Sequence, residues 1–289
     1  MTSSEEAGAG DEAQAAAPGK LQDWTDETFQ ILVACMPKSG STLLSKLVGL
    51  SPGFRKVKVV PGFGRREQEL SELQLARMLV RTENRRKRWR KRRFNDRLRA
   101  WVRAPAPLPA WPIGFVCQNH LRFSAPTQEI INKFKLAPVV LVRDIFDVVP
   151  SIRDHYRNTS LNMPMAYVTE HISQMSDERL HEFIVDMVLP WYFNFFVSWQ
   201  DCQHKLLVTY DDLIADQEGT LARVLEFAGL DRRYVSTAVK GVAGRAESKF
   251  TRKNVGKAGR GRELSERLKA KIRLMAEYYP GVDFDPIGL

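Results

Sequence analysis

The six residues Pro37-Lys38-Ser39-Gly40-Ser41-Thr42 have the composition of an anion-binding turn. A short apolar run, Ile31 to Met36, ends directly before them, and a segment of helical period, Leu43 to Leu50, follows, so the spacing predicts strand, loop and helix N-terminus. The first N–H groups of a helix have no partner inside it and sit at the positive end of its dipole, which suits a phosphate. Gly40 lets the backbone approach such a guest, Ser41 and Thr42 add hydroxyls to the loop amides, and Lys38 adds a mobile charge. An ATPase-type loop places its lysine after the last glycine, whereas Lys38 precedes Gly40, so that pattern is absent. A capped strand-to-helix turn with a solvent-facing lysine could have the same six residues, and other parts of the chain must decide.

A second group lies between Val139 and Tyr156. The strand-like VVLVR delivers Arg143 at its carboxyl end, and Ser151 follows eight residues later in a helical segment. Arg143 offers a bidentate fork to a phosphate and Ser151 a hydroxyl. The competing arrangement pairs Arg143 with Asp144 or Asp147 and leaves Ser151 on a helix surface. A third candidate, His120, comes just after the apolar run Ile113 to Cys117. A neutral imidazole there can take a hydroxyl proton near neutral pH, although a lone histidine is also a common structural residue.

These groups must be positioned by the elements around them. Lys56 to Val60, Ile113 to Cys117, Pro138 to Val142 and Leu206 to Val208 read as further short strands. Gln68 to Val80 has helical spacing, and Met187 to Trp199 reads as a helix buried on most sides. Thr220 to Ala228 is a helix ended by Gly229, and Leu264 to Tyr278 one stopped by Pro280-Gly281. Strands alternating with helices predict an α/β fold with a central parallel sheet covered on both faces.

With these residues in view, the chain resembles the sulfotransferases that use 3'-phosphoadenosine-5'-phosphosulfate (PAPS) and release 3'-phosphoadenosine-5'-phosphate (PAP). Pro37 to Thr42 is similar to that family's 5'-phosphosulfate loop, and Arg143 with Ser151 matches its 3'-phosphate pair. Weaker echoes are Tyr210-Asp211-Asp212-Leu213, similar to a segment near the adenine, and Phe250-Thr251-Arg252-Lys253, similar to a late 3'-phosphate loop. The resemblance covers about Ile31 to Arg262 and implies a single P-loop-kinase-like domain. It further implies that Lys38, Ser39, Gly40, Ser41, Thr42, Arg143, Ser151, Tyr210, Arg252 and Lys253 hold PAPS, that Lys38 stabilises the leaving phosphate and that His120 is the base. The departures are Gln118 where a lysine precedes the histidine by two, Leu43 where cytosolic members have tryptophan, and Asn254 where a glycine is usual. They point to a bacterial-type, carbohydrate-type or divergent cytosolic-like member. No metal is expected.

Composition bounds the alternatives. Hydrophobic residues make up 44% of the 289 and charged residues 27%, as in an ordinary globular chain. Met1 to Lys20 is acidic and Ala/Gly-rich, so residues 1–24 are expected as a disordered tail before a domain over 25–289. Export is not expected, and a cytoplasmic location is. Cys35, Cys117 and Cys202 lie far apart, mostly within apolar runs, and read as reduced core residues. The net charge of +10 is local: Arg81 to Arg103 has twelve basic residues against Glu83 and Asp96, itself +10. This reads as a basic amphipathic helix within an insert at about 81–110, with Phe94, Leu98, Trp101 and Val102 at helical spacing. An anionic membrane surface at the inner face, or another polyanion, would be its counterpart along 85–103, while nucleic acid is not expected. The competing function classes are a P-loop nucleotide kinase and a polyanion- or nucleic-acid-binding module centred on residues 85–93; the acceptor of a transferase would be a small molecule or carbohydrate.

Overall fold

The computed structural model describes residues 28–59, 69–100, 113–163, 165–246 and 259–289, with the side chains of 89, 90, 92–100, 233 and 244–246 excepted. The expected tail over 1–24, the end of the basic insert and the segment holding Arg252, Lys253 and Asn254 lie outside the described residues.

Five parallel strands, β1 (Thr28–Cys35), β2 (Lys56–Val57), β3 (Ile113–Asn119), β4 (Leu136–Val142) and β5 (Leu206–Thr209), form one sheet in the order β2-β3-β1-β4-β5. Their near-continuous apolar sequences follow from burial of both faces. Along β1, Leu32, Ala34 and Met36 pack with Cys117, Val140 and Val142 in one core, while Ile31, Val33 and Cys35 pack with Val116, Leu141 and Val208 in the other. The cysteines are free and buried, as their apolar surroundings suggest.

Helix α1 (Ser41–Leu50) follows β1, and α2 (Glu72–Ala100) follows β2. In α2 the buried positions Leu75, Met78, Leu79, Thr82 and Glu83 form one stripe, and the helix runs without a break from that apolar part into the basic stretch. Arg86 grips the buried Glu83 through two bonds of 2.6 and 2.8 Å, and Arg85 donates to the Gly53 carbonyl at 3.2 Å. Arg85 and Arg86 thus have partners within the fold.

The next helices are α3 (Ala125–Lys133), α4 (Ile145–Asn158), the single turn α5 (Glu170–Ser173) and α6 (Asp177–Phe183). The segment expected as one helix over Met187 to Trp199 is instead a π turn (Ile184–Val188), then α7 (Leu189–Ser198), then a 3₁₀ turn (Trp199–Asp201). Pro190 has no N–H and its ring crowds the preceding turn, so the backbone widens before it. Met187 is thereby turned outward, 58% exposed. The aromatic payload of α7, Tyr192, Phe193, Phe195 and Phe196, is buried.

The remaining helices are α8 (Tyr210–Ala215), α9 (Gln217–Phe227), α10 (Arg232–Ala246) and α11 (Glu266–Ala276). Gly229 and Gly281 take φ of 85° and 86° at the stops the sequence suggests. Among the described residues no helix is long and apolar enough to cross a membrane.

The chain leaves β1 through α1 toward β2 on one side of the sheet, whereas from β4 it leads to β5 on the other, so the connections diverge between the adjacent strands β1 and β4. A crevice opens at such a switch point, and the loops after β1, β3 and β4 meet there.

The β1–β3 register sets Gly114 opposite Phe29, where a methyl group would collide with the Phe29 carbonyl oxygen and come within 2.8 Å of the Phe54 ring. Gly114→Ala is expected to destabilise the fold by about 1–3 kcal/mol through overpacking, read as a lower urea midpoint with an unchanged slope.

Candidate functional site

The loop after β1 adopts an uncommon backbone. Lys38 and Gly40 have φ of 67° and 82°, both left-handed. For a lysine this costs on the order of 1–3 kcal/mol, so surrounding contacts must hold it. Three do. Ser39 Oγ donates to the Met36 carbonyl at 2.6 Å, Tyr192 Oη to the Pro37 carbonyl at 3.0 Å, and Arg143 Nη1 to the Lys38 carbonyl at 3.1 Å. At about 0.5–1.5 kcal/mol each, such bonds offset the strain. They also orient the loop: in a trans peptide the N–H points opposite the carbonyl, so the N–H groups of Lys38 and Ser39 face away from these donors.

Gly40 is the N-cap of α1 and no side chain caps that helix, whereas Ser124, Asp144, Thr209 and Asp216 cap α3, α4, α8 and α9. No side chain takes the first amides of α1, and the N-terminus of a helix in that state can accept an anion; α7 and α11 also lack a side-chain cap. The left-handed φ at Gly40 favours glycine, and a methyl there would crowd the Tyr210 ring at 3.0 Å. Ser41 is buried at the start of the helix and Thr42 is exposed.

Arg143, at the end of β4, is only 6% exposed. Its guanidinium lies 4.2 Å from the centre of the Tyr210 ring and 3.6 Å from Asp147 Oδ2. Tyr210 thus sits against both Gly40 and Arg143 and joins the two anion-binding candidates. The alternative partners read from the sequence divide: Asp144 caps α4 by accepting from Phe146 N and Asp147 N, while Asp147 faces Arg143.

Asp147 does more than balance that charge. Its two oxygens accept from Gly259 N at 2.8 Å and Gly261 N at 2.7 Å, anchoring the turn Arg260–Glu263 on α4. Gly261 must be glycine here, because a methyl would come within 2.5 Å of Phe146 Cβ. About two turns further along the same face, Asp154 binds Arg260 at 2.8 Å. Ser151 lies between Asp147 and Asp154 on that face and is buried. Arg252 and Lys253 lie outside the described residues; the turn that closes their segment is the one Asp147 holds.

The Lys38 ammonium is held below its ordinary pKa, first by burial, then by Arg143, with Asp154 opposing and Arg260 adding to the effect. A lysine beside an arginine at an uncapped helix N-terminus is a site whose positive charge seeks an anion.

His120 stands at the end of β3, 4% exposed. Its Nδ1 is 2.8 Å from the Cys35 carbonyl oxygen, which can only accept, so Nδ1 carries the proton and the basic lone pair is on Nε2. Trp199 Nε1 donates to the Leu121 carbonyl at 3.0 Å and Phe123 N to Ser198 Oγ at 3.1 Å, so the end of α7 fixes the segment after His120. Gln118 receives the Lys56 ammonium at 2.9 Å, so the charge lacking on β3 arrives from β2.

The described candidates therefore gather at the carboxyl ends of β1, β3 and β4, with Tyr210 from the end of β5. Sequence reasoning missed Tyr192, Lys56 and the anchoring role of Asp147. Only Asp147 carried a signal, four residues beyond Arg143.

A parallel α/β sheet with a left-handed, anion-seeking strand-to-helix loop at its switch point has the P-loop-kinase-like architecture. The model of the sulfotransferase domain matches residues 29–257, and the chain belongs to this family, whose reaction is sulfonyl transfer. Mouse sulfotransferase SULT7A1 complexed with PAP aligns at 14% identity with a TM-score of 0.53, covering 91% of this chain and 89% of that chain. Retinol dehydratase in complex with androsterone and the inactive cofactor PAP aligns at 14% and 0.45, covering 91% and 86%. A sulfotransferase from Mycobacterium avium aligns at 12% and 0.47, covering 90% and 79%. At these identities the likeness to the mouse protein is one of fold. No curated protein matches the chain.

Asp147→Ala is expected to release the 259–263 turn while leaving the sheet intact. Amide hydrogen exchange at Gly259 and Gly261 should accelerate at least tenfold, since a bond to a charged acceptor contributes about 1.5–3 kcal/mol, and the β1 and β4 amides should keep their protection.

Proposed function

We propose that this chain transfers the sulfonate group of PAPS to a hydroxyl, or an amine, of a small-molecule or carbohydrate acceptor. The observation that carries the reading is the captured loop: the Met36, Pro37 and Lys38 carbonyls are all engaged, the α1 N-terminus is uncapped, and Lys38 and Arg143 stand beside it. Family membership supports sulfonyl transfer, and PAP in the mouse protein of like fold supports the donor.

In this reading the amides from Ser39 onward, with Ser41 and Thr42, hold the 5'-phosphosulfate, and Arg143, Ser151, Arg252 and Lys253 take the 3'-phosphate. Tyr210 packs beside both. The acceptor oxygen attacks sulfur in line; a new S–O bond forms as the bond from sulfur to the bridging phosphate oxygen breaks, and PAP departs with that electron pair. Lys38 neutralises the charge that develops on the bridging oxygen, and His120 Nε2 removes the acceptor proton. Such a transfer rests on positioning and charge neutralisation, as in phosphoryl transfer. A nucleotide kinase would call for a glycine-lysine loop, and the polarity of Lys38 and Gly40 does not favour it.

Calorimetry should find PAP binding tightly and ATP weakly. Arg143→Ala should lose more affinity for PAP than for the analogue lacking the 3'-phosphate. His120→Gln should keep PAP affinity but lose about 10²–10⁴-fold in transfer from labelled PAPS across an acceptor screen. Equal affinity for ATP and PAP would sink the reading.

Because the Lys38 pKa is depressed in the free protein, the required ammonium is lost as pH rises through a value below 10.5. The alkaline limb of kcat/KM for PAPS, which reports the free enzyme, should fall below that value and vanish in Lys38→Arg, where the guanidinium stays charged. A limb unmoved by that substitution would assign it to another group.

A further inference from the structure

Behind the loop lies a second polar group that the mechanism above does not use. Lys56, on the edge strand β2, donates from Nζ to Ser45 Oγ at 2.6 Å and to Gln118 Oε1 at 2.9 Å. Ser45 Oγ also lies 3.2 Å from Gln118 Oε1. The other end of the same carboxamide, Gln118 Nε2, donates to Ser41 Oγ at 2.6 Å. Ser41, Ser45 and Gln118 are all buried.

We propose that Lys56 is a positioning residue that sets the polarity of the Ser41 hydroxyl toward the anion in the loop. A carboxamide can be turned end for end with little change in shape, so its orientation is decided by its neighbours. An ammonium can only donate. Lys56 therefore holds Oε1 toward itself and leaves Nε2 facing Ser41. Ser41 Oγ then accepts from Gln118, and its own O–H is directed to another acceptor, which for the first residue of an uncapped helix is the anion bound at the loop. Were the carboxamide reversed, Ser41 would give its proton to Oε1 and present lone pairs to a negatively charged guest. The chain β2 to β3 to α1 thus converts a charge at the sheet edge into a hydrogen-bond direction at the site. This inference rests on the PAPS reading for the identity of the anion, and on the geometry alone for the relay.

The test is a double-mutant cycle with PAP as the titrant. Lys56→Met should weaken PAP binding about fivefold to tenfold, the loss of one hydrogen bond, and Lys56→Arg should largely restore it. In a Ser41→Ala background, Lys56→Met should change affinity by less than about twofold, because the group it acts through is gone. An equal loss in both backgrounds would mean that Lys56 is only a distant positive charge and would overturn the relay, as would no loss in either. A second measurement needs no ligand. In the free protein, NMR should give cross-relaxation between the Gln118 carboxamide protons and the Ser41 β protons, lost in Lys56→Met while the strand amides keep their shifts. Persistence of that signal in Lys56→Met overturns the relay. If wild-type protein fails to bind PAP while the signal behaves as expected, the donor assignment fails and the relay stands.

Discussion

The capture of three consecutive carbonyls at the end of β1 is the constraint around which the site is built. Ser39, Tyr192 and Arg143 take the oxygens of Met36, Pro37 and Lys38, and the left-handed turn survives because of them. The donors come from the loop itself, from α7 and from the end of β4. Each of these elements must therefore be in place before the amides can face a ligand. The arrangement is preorganised in the sense that matters for catalysis: the dipoles are oriented by the fold and not by the substrate.

Arg143 is the point where most of these requirements meet. It braces the loop carbonyl, stacks on Tyr210 and faces Asp147, which in turn pins the 259–263 turn. A buried guanidinium is tolerable only with such a set of partners. Burial first, and Arg143 after it, lower the Lys38 pKa, so two cationic side chains stand together beside the loop. The basic stretch of α2 is a separate matter, since its Arg85 and Arg86 are engaged by Gly53 and Glu83 within the fold.

Aromatic packing supplies the rigidity behind this chemistry. The helix α7 buries Tyr192, Phe193, Phe195 and Phe196, and the turn after it buries Trp199. From this one block, Tyr192 reaches the loop after β1, and Trp199 and Ser198 reach the segment after β3. A residue such as Tyr192, lost in an apolar run and 155 positions from its partner, gives no local sign of that role.

Sequence alone determined the parallel α/β class, because strands buried on both faces must be continuously apolar and must alternate with covering helices. It also singled out the strand, loop and helix around Pro37 to Thr42 and, as candidates, Arg143 and Ser151, while leaving a capped turn and an arginine–aspartate pairing open. Tertiary structure alone decided which way each group points. The proton on His120 Nδ1 and the arrival of Lys56 at Gln118 depend on contacts between residues 85 and 62 positions apart, and the choice between Asp144 and Asp147 as the arginine's neighbour depends on how α4 leaves the end of β4. The split of the Met187 to Trp199 helix is intermediate: Pro190 marks the place in the sequence, and the backbone widens into a π turn directly before α7. Local patterns encode what an element is; hydrogen-bond direction needs the partner, and the partner is supplied by the fold.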